Sequence, residues 1–237
     1  MCVCLFARTH VVSLSNVCTL NTTRYQLAHG DRAGLRAATK GWTLHNSEYG
    51  DGDGSGLSMV AALNTDFFEL VPQQWAYWQV LDEAPGWGLL AMDPAGGAVG
   101  KANRKHFMLC QYTRHLKVGM EVLRTSHHDT VAAYDPGART LVLITTAFGP
   151  GREVAHDLVG FAAVGGPVRR WQSGANDGGD RYVEYGDDGG GEDGSSGAKD
   201  DDQGRVVRVD HSGGGAIVRV WCPANTTVTL EVYNVVR

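Results

Sequence analysis

The sequence lacks the marks of several large protein classes. No run approaches the roughly 18–20 consecutive apolar residues that a helix needs to span a bilayer. Positive charge is not in excess, because 21 Lys and Arg stand against 26 Asp and Glu. The five cysteines form neither a CxxC pair nor a Cys/His spacing suited to zinc. Since nucleic acids and acidic membranes bind basic surfaces, we expect neither as a partner, and we expect no metal and no cofactor.

We also expect no export signal in this chain. Residues 1–7 are apolar, but Arg8 and His10 interrupt this stretch after too few residues for the core of a signal peptide. The net charge of −5 is unevenly placed, because seven acidic residues and only Lys199 lie between Asp187 and Asp202. This acidity therefore belongs to one segment. Residues 173–204 are rich in Gly, Asp and Ser, which predicts a long disordered loop.

Two patterns divide the chain near residue 117. Before it, apolar stretches alternate with helical periods, an order that predicts parallel βα units. The predicted helices cover residues 31–41, 56–70 and 103–116, and Asp31 is the predicted N-cap of the first one. After residue 117, short strands separated by turn residues predict a β-sandwich. Three βα units cannot close a (β/α)8 TIM barrel, which needs eight strands and about 250 residues. The first part is therefore either a small open sheet or the last part of a barrel whose first strands are absent.

Candidate functional residues follow the predicted strands. Glu48 comes directly after a strand that ends near Ser47, at the position where barrel enzymes place catalytic groups. The next strand is rich in aromatics and ends near Trp78, with Gln79 following and Trp87 in the loop beyond. A carboxylate beside an indole suits a sugar-binding subsite, because the ring stacks on the apolar face of a pyranose.

Other readings of these residues stay open. Glu48 could simply be solvated or cap a helix, and Trp75 could be a core residue. The glycine- and aspartate-rich run at residues 50–54 lacks the spacing of a calcium loop. His127-His128-Asp129 is interpreted as a solvated turn, because no third ligand is in register.

Several motifs in the same order resemble glycoside hydrolase family 30, and within it the endo-β-1,6-galactanase-like members. The resemblance covers roughly residues 25–171. It is carried by the motifs Asn46–Gly54, Gly56–Met59, Trp75–Gln79, Gly86–Leu89, Gln111–His115 and Thr130–Pro136.

The resemblance implies a retaining glycosidase that acts on β-linked galactan or a related polysaccharide outside the cell. Its expected fold is the C-terminal part of a (β/α)8 barrel in residues 1–116, followed by a β-sandwich in residues 117–237. Glu48 corresponds to the nucleophile that ends the seventh strand. The implied substrate-binding residues are Tyr25, Tyr49, Trp78, Gln79 and Trp87.

The resemblance also implies a missing part. The family's general acid/base ends the fourth barrel strand, whereas this chain begins at about strand six. A retaining mechanism needs two carboxyl groups about 5–5.5 Å apart, and Asp31 is the only carboxylate before Glu48. We therefore expect a fragment whose partner is an absent N-terminal half, and whether this chain is itself an enzyme stays open. The alternatives are a non-catalytic carbohydrate-binding protein and a structural β-sandwich remnant.

Overall fold

The computed structural model describes residues 3–6, 17–20, 31–39, 42–93, 95, 97–185, 207–212 and 215–237. The first part of the chain forms a four-stranded sheet. Its strands are β1 (Val3–Phe6), β2 (Val17–Leu20), β3 (Thr43–Tyr49) and β4 (Gln74–Tyr77), in the order β1-β4-β3-β2.

The three later strands of this sheet have the predicted parallel arrangement. Strand β2 pairs in parallel with β3, and β3 pairs in parallel with β4. Helix α1 (Arg32–Ala38) connects β2 to β3, and helix α2 (Leu57–Thr65) with a π-helical turn (Asp66–Leu70) connects β3 to β4. Asp31 caps α1 as predicted, since its carboxylate accepts the amide of Gly34 at 2.7 Å. Strand β1 was not predicted, and it pairs antiparallel with β4.

The segment between β4 and the next helix is more regular than the loop that its glycines and proline predict. Strands β5 (Leu81–Asp82), β6 (Leu90–Met92) and β7 (Val99–Ala102) form a small sheet of their own. Helix α3 (Arg104–Thr113) follows, and Asn103 precedes it. The Asn103 side chain makes no cap hydrogen bond and instead donates to the Gly88 carbonyl at 2.7 Å, which ties this segment to the helix start.

The second part of the chain is built from antiparallel sheets. The described strands are β8 (Glu121–Leu123), β9 (Thr130–Asp135), β10 (Thr140–Ala147), β11 (Arg152–Asp157), β12 (Ala163–Val164), β13 (Val168–Gly174), β14 (Val183–Tyr185), β15 (Arg208–Ser212), β16 (Gly215–Cys222), β17 (Thr226–Val232) and β18 (Val235–Val236). A six-stranded sheet has the order β14-β13-β17-β10-β9-β8, and a three-stranded sheet has the order β11-β16-β15.

The side chains of β10 alternate between two hydrophobic cores. Leu141 and Leu143 pack with Val218 and Val220 of β16, between the two antiparallel sheets. Val142 and Ile144 point the other way and belong to the core that contains α2, α3 and β4. All eight residues of β10 are buried as a result. None of the described helices is long and apolar enough to cross a bilayer.

The prediction of a disordered loop over 173–204 is wrong for its first residues, which form a β13–β14 hairpin. Arg104 of α3 holds the turn, because its guanidinium donates to the carbonyls of Gly179, at 2.6 Å, and Asp177. Tyr182 is fixed by His115, with 2.9 Å between Oη and Nε2. These contacts come from distant residues, so the local composition gave no sign of them. Residues 186–204 of the predicted loop lie outside the described residues.

Candidate active site

The candidate site lies at the carboxyl ends of β3 and β4. Because these strands are parallel and adjacent, their carboxyl ends meet at one edge of the sheet. Glu48 is the penultimate residue of β3 and is half-buried. Trp78 follows β4, and its backbone amide donates to the Tyr49 carbonyl at 2.7 Å. The structure therefore brings Glu48 and Trp78 to the same edge, as the strand order predicted.

A β-bulge sets the direction of Glu48. Asn46 pairs with Trp75 and Tyr49 pairs with Tyr77, so three steps along β3 match two steps along β4. The extra residue places Asn46 and Tyr49 on the same face of the sheet, although an uninterrupted strand would put them on opposite faces. Asn46 contacts Asp66 and Tyr49 packs with Met59, so both lie on the helix side, and strand alternation predicts that Glu48 faces the other side. The amide of Glu48 donates to the Asn46 side-chain oxygen at 3.2 Å, which closes the bulge.

The prediction that Tyr49 binds substrate is not supported by its position. Only 9% of Tyr49 is exposed, and its ring centre lies 5.4 Å from that of Trp75 and 6.3 Å from that of Tyr77. The bulge is the reason, since it turns Tyr49 into the helix-side core. Burial and the nearby Asp51 carboxylate raise the pKa of Tyr49 far above its usual range, so the phenol stays protonated.

The other predicted binding residues differ in exposure. Trp78 is 44% exposed, so its indole is available to a ligand. Gln79 is half-buried and donates to the Asp82 carboxylate at 3.0 Å. The peptide bond between Trp78 and Gln79 is cis. Tyr25 lies outside the described residues.

Trp87 lies against the glycine-rich loop that follows Glu48. A Cβ atom on Gly50 would be 3.1 Å from the Trp87 ring and only 2.5 Å from the Trp78 carbonyl oxygen. Gly86 has a φ of +78°, and a Cβ there would meet the Gly52 carbonyl at 2.4 Å. The loop glycines are therefore needed for close approach, which allows the indole of Trp87 to pack beside the candidate nucleophile loop.

A buried hydrogen-bond network that the sequence did not predict holds the loop after Glu48 in place. Lys105 is fully buried, and its ammonium group donates to the Asp51 carboxylate and carbonyl, each at 2.8 Å, and to Tyr77 Oη at 2.7 Å. Tyr77 in turn donates to the Trp87 carbonyl at 2.5 Å. Burial lowers the pKa of Lys105, while the Asp51 carboxylate opposes this shift. The network joins both loops of the site to helix α3.

A second buried carboxylate organises the strands one layer deeper. Asp66, in the π-helical turn, accepts hydrogen bonds from Arg32 at 2.5 Å, from Asn46 at 2.7 Å and from the Trp75 indole at 2.8 Å. Three donors satisfy this buried charge. Asn46 and Trp75 are the residues paired just before the bulge, so Asp66 fixes the strands at the point where Glu48 is turned.

Comparison with known proteins gives a sequence relative and a structural neighbour. No family model matches the chain. An endo-beta-1,6-galactanase from Hypocrea rufa is 40% identical over 173 residues, which cover 71% of this chain and 36% of the relative. The catalytic domain of a GH30 xylanase C from Talaromyces cellulolyticus superposes with a TM-score of 0.55 at 15% identity, covering 82% of this chain and 41% of the xylanase chain.

These two comparisons confirm the resemblance predicted from the motifs. The chain is related in sequence to an endo-beta-1,6-galactanase. It shares its fold with part of the catalytic domain of a family 30 glycoside hydrolase. It spans about a third of the length of the galactanase relative.

Proposed function

We propose that this chain carries the nucleophile side of the active site of a retaining, endo-β-1,6-galactanase-like glycoside hydrolase, with Glu48 as the nucleophile. One observation carries the proposal: Glu48 lies at the end of β3, just after the bulge, at the edge of the sheet where Trp78 is exposed. A carboxylate presented beside an exposed indole can attack the anomeric carbon of a sugar that stacks on that indole. The sequence relationship to a galactanase supports this substrate.

The proposed sugar-binding surface consists of Trp78, Gln79 and Trp87. Trp78 supplies the stacking face, and the Gln79 amide hydrogen-bonds to sugar hydroxyls after exchanging its contact with Asp82. Trp87 forms the side wall, fixed by the glycine loop and by the Tyr77 hydrogen bond to its carbonyl. Tyr49 has no part in this surface because it is buried. Tyr25 stays a prediction.

The second carboxyl group of the proposed mechanism comes from a part of the galactanase length that this chain does not span. Residues 1–116 correspond in this proposal to the closing units of a (β/α)8 barrel, and residues 117–237 to its β-sandwich. The general acid/base then projects from an earlier barrel strand toward the edge that holds Glu48. Loss of the general acid/base typically lowers the rate by roughly 10²–10⁴-fold. The proposed site of action is extracellular, where a polysaccharide substrate is found.

The test compares Glu48→Gln and Glu48→Ala in this chain joined to the N-terminal part of the Hypocrea rufa relative. The joined wild type should release β-configured product from β-1,6-galactan, with the configuration retained. Glu48→Gln should lower the rate by roughly 10⁴–10⁶-fold, as removal of a nucleophile does. Glu48→Ala with azide and an aryl β-galactoside should yield the α-galactosyl azide, because azide enters the vacated position. Glu153→Gln, an exposed glutamate of β11, is the matched control and should keep full activity. Full activity of Glu48→Gln would exclude Glu48 as the nucleophile.

A second candidate is carbohydrate binding without chemistry, which the exposure of Trp78 favours. A stacking platform requires only the indole and neighbouring polar groups, and no second carboxyl group. In that case the 237-residue chain should bind β-1,6-galactooligosaccharides by calorimetry, with the same affinity in Glu48→Gln. Hydrolysis by the joined protein, abolished in Glu48→Gln, would instead assign the site to catalysis.

A further inference from the structure

A cluster of two histidines and one aspartate lies in the loop between β8 and β9. Nδ1 of His127 is 3.4 Å from Oδ2 of Asp129, and Nε2 of His128 is 3.2 Å from Oδ1 of the same carboxylate. The two imidazole rings are stacked, with their centres 4.5 Å apart. One ligand atom from each of the three residues can be chosen so that all lie within 4.8 Å of one another. The ring nitrogens thus converge on one carboxylate.

The carboxylate of this cluster is held in place before any ligand binds. The Asp129 side chain is only 8% exposed, and the guanidinium of Arg152 donates to Oδ2 at 2.5 Å. The Asp129 carbonyl accepts hydrogen bonds from the Thr146 amide at 2.9 Å and from the Asn64 side chain at 3.3 Å. Side chain and backbone of Asp129 are therefore both fixed. The imidazoles, in contrast, are 60% and 58% exposed. Nδ1 of His127 accepts the Asp129 amide at 3.2 Å, which leaves Nε2 of that ring to a ligand.

We infer that His127, His128 and Asp129 form a binding site for a divalent transition-metal ion such as Zn²⁺. Zinc takes imidazole nitrogen and carboxylate oxygen at about 2.0–2.1 Å, so neighbouring ligand atoms in a tetrahedral site lie about 3.3–3.4 Å apart. The distance of 3.2 Å between Nε2 of His128 and Oδ1 of Asp129 matches this spacing. Three protein ligands leave the fourth position to water.

Arg152 fits this site as an outer partner rather than as a competitor. Ligating carboxylates are commonly held by a further hydrogen bond that orients them toward the metal. Arg152 occupies Oδ2, whereas Oδ1 faces the exposed Nε2 of His128. Oδ1 is thus the oxygen available to an ion. The sequence interpretation took His127-His128-Asp129 for a solvated turn, because the sequence does not show that Arg152 holds the Asp129 carboxylate in place.

The site is separate from the candidate active site and does not depend on the proposed function. Helix α2 starts after the loop that follows Glu48, and Asn64, which contacts the Asp129 carbonyl, is the penultimate residue of that helix. A helix rises about 1.5 Å per residue, so α2 separates the cluster from the Glu48 edge by several residues of rise. The His128 ring also lies edge-on to Phe68, beyond the end of α2.

The experiment is a Zn²⁺ titration of the full chain, stripped of metal with a chelator, in competition with a chromogenic zinc indicator. One equivalent should bind, and His127→Ala and His128→Ala should each weaken that binding at least tenfold. Both side chains are exposed, so we expect both variants to keep the fold, and thermal melts in the presence of chelator should match that of the wild type. His211→Ala removes another exposed histidine, on β15, and should bind like the wild type.

A second readout follows stability. Zn²⁺ should raise the Tm of the wild type and of His211→Ala, because the ion binds the folded state. It should not raise the Tm of His127→Ala or His128→Ala. The inference is overturned if the wild type fails to bind Zn²⁺ at millimolar concentration, or if both cluster variants bind as tightly as the wild type. Neither result would bear on Glu48.

Discussion

The ammonium nitrogen of Lys105 lies 2.8 Å from Oδ1 of Asp51, a residue 54 positions earlier in the chain, and both side chains are almost completely shielded from water. Asp51 belongs to the loop that follows Glu48, and Lys105 belongs to the first turn of α3. The pair therefore couples a helix to the loop behind the candidate nucleophile, at a position where an unpaired charge would be costly.

Replacing Lys105 by Met should destabilise the protein by about 3–5 kcal/mol, because the Asp51 carboxylate would remain buried without its partner. Urea unfolding followed by circular dichroism measures this change. Lys101→Met, at an exposed position of β7, is the control and should stay within about 0.5 kcal/mol of the wild type. Asp51→Asn combined with Lys105→Met should recover part of the loss. Equal stability of the two single lysine variants would contradict the role given to the ion pair.

Adding a methyl group to Gly50 should disturb both walls of the candidate site. The new Cβ would lie 2.5 Å from the Trp78 carbonyl oxygen and 3.1 Å from the Trp87 ring, so the two loops must separate. We expect Gly50→Ala to cost about 1–3 kcal/mol of stability and to lower kcat/KM of the joined enzyme. Gly160→Ala is the control, since nothing lies within 4 Å of a Cβ there. Indistinguishable melts of the two variants would show that the loops are not in tight contact.

Trp78→Ala should weaken sugar binding without affecting folding. The residue is 44% exposed, so its removal should cost little stability, while loss of stacking should lower oligosaccharide affinity by about 1 kcal/mol, roughly fivefold. Calorimetric titration with β-1,6-galactooligosaccharides measures this. Trp42, which is 50% exposed and precedes β3 at its other end, gives the matched control. If Trp42→Ala weakened binding as much as Trp78→Ala, Trp78 would not be the surface on which the sugar stacks.

His156 should make the protein less stable in acid. Burial lowers its pKa from 6.5 to about 4, so the unfolded chain binds a proton at this residue between these pH values and the folded chain does not. The contribution of neutral His156 to the free energy of unfolding is thus fully present above pH 6.5. It falls as the pH drops toward 4, by up to about 3 kcal/mol. Urea unfolding at pH 7.5 and pH 4.5 should show a smaller difference for His156→Gln than for the wild type. His211→Gln, an exposed histidine, should behave like the wild type.

Local patterns were sufficient to predict the parallel strands and the edge where Glu48 and Trp78 meet. Helical periods and cap residues depend on near neighbours, which explains why Asp31 was correctly identified as a cap. The resemblance implied that Tyr49 binds substrate, whereas one extra residue in β3 reverses the faces of the strand after Asn46 and places Tyr49 in the core. A bulge depends on the pairing with β4, and the sequence of β3 alone does not contain that information.

Long-range contacts account for the other differences. Lysine usually lies at the surface, yet Lys105 is buried and pairs with Asp51, 54 positions away. The β13–β14 hairpin is held by Arg104 and His115 of the preceding part of the chain. The cluster at His127 was visible in the sequence, but only the structure shows that Arg152 holds Asp129 in position.

Strand β10, with side chains alternating into two cores, has a consequence for how the chain unfolds. Val142 and Ile144 stabilise the helical part, while their neighbours Leu141 and Leu143 stabilise the region between the two antiparallel sheets. Unfolding of one core would expose the β10 side chains on that side. It would also remove the strand that the other core packs against. We therefore expect a single cooperative melting transition, and a protease that cuts between α3 and β8 should release no stable half. The predicted boundary near residue 117 thus separates two architectures that we expect to unfold together.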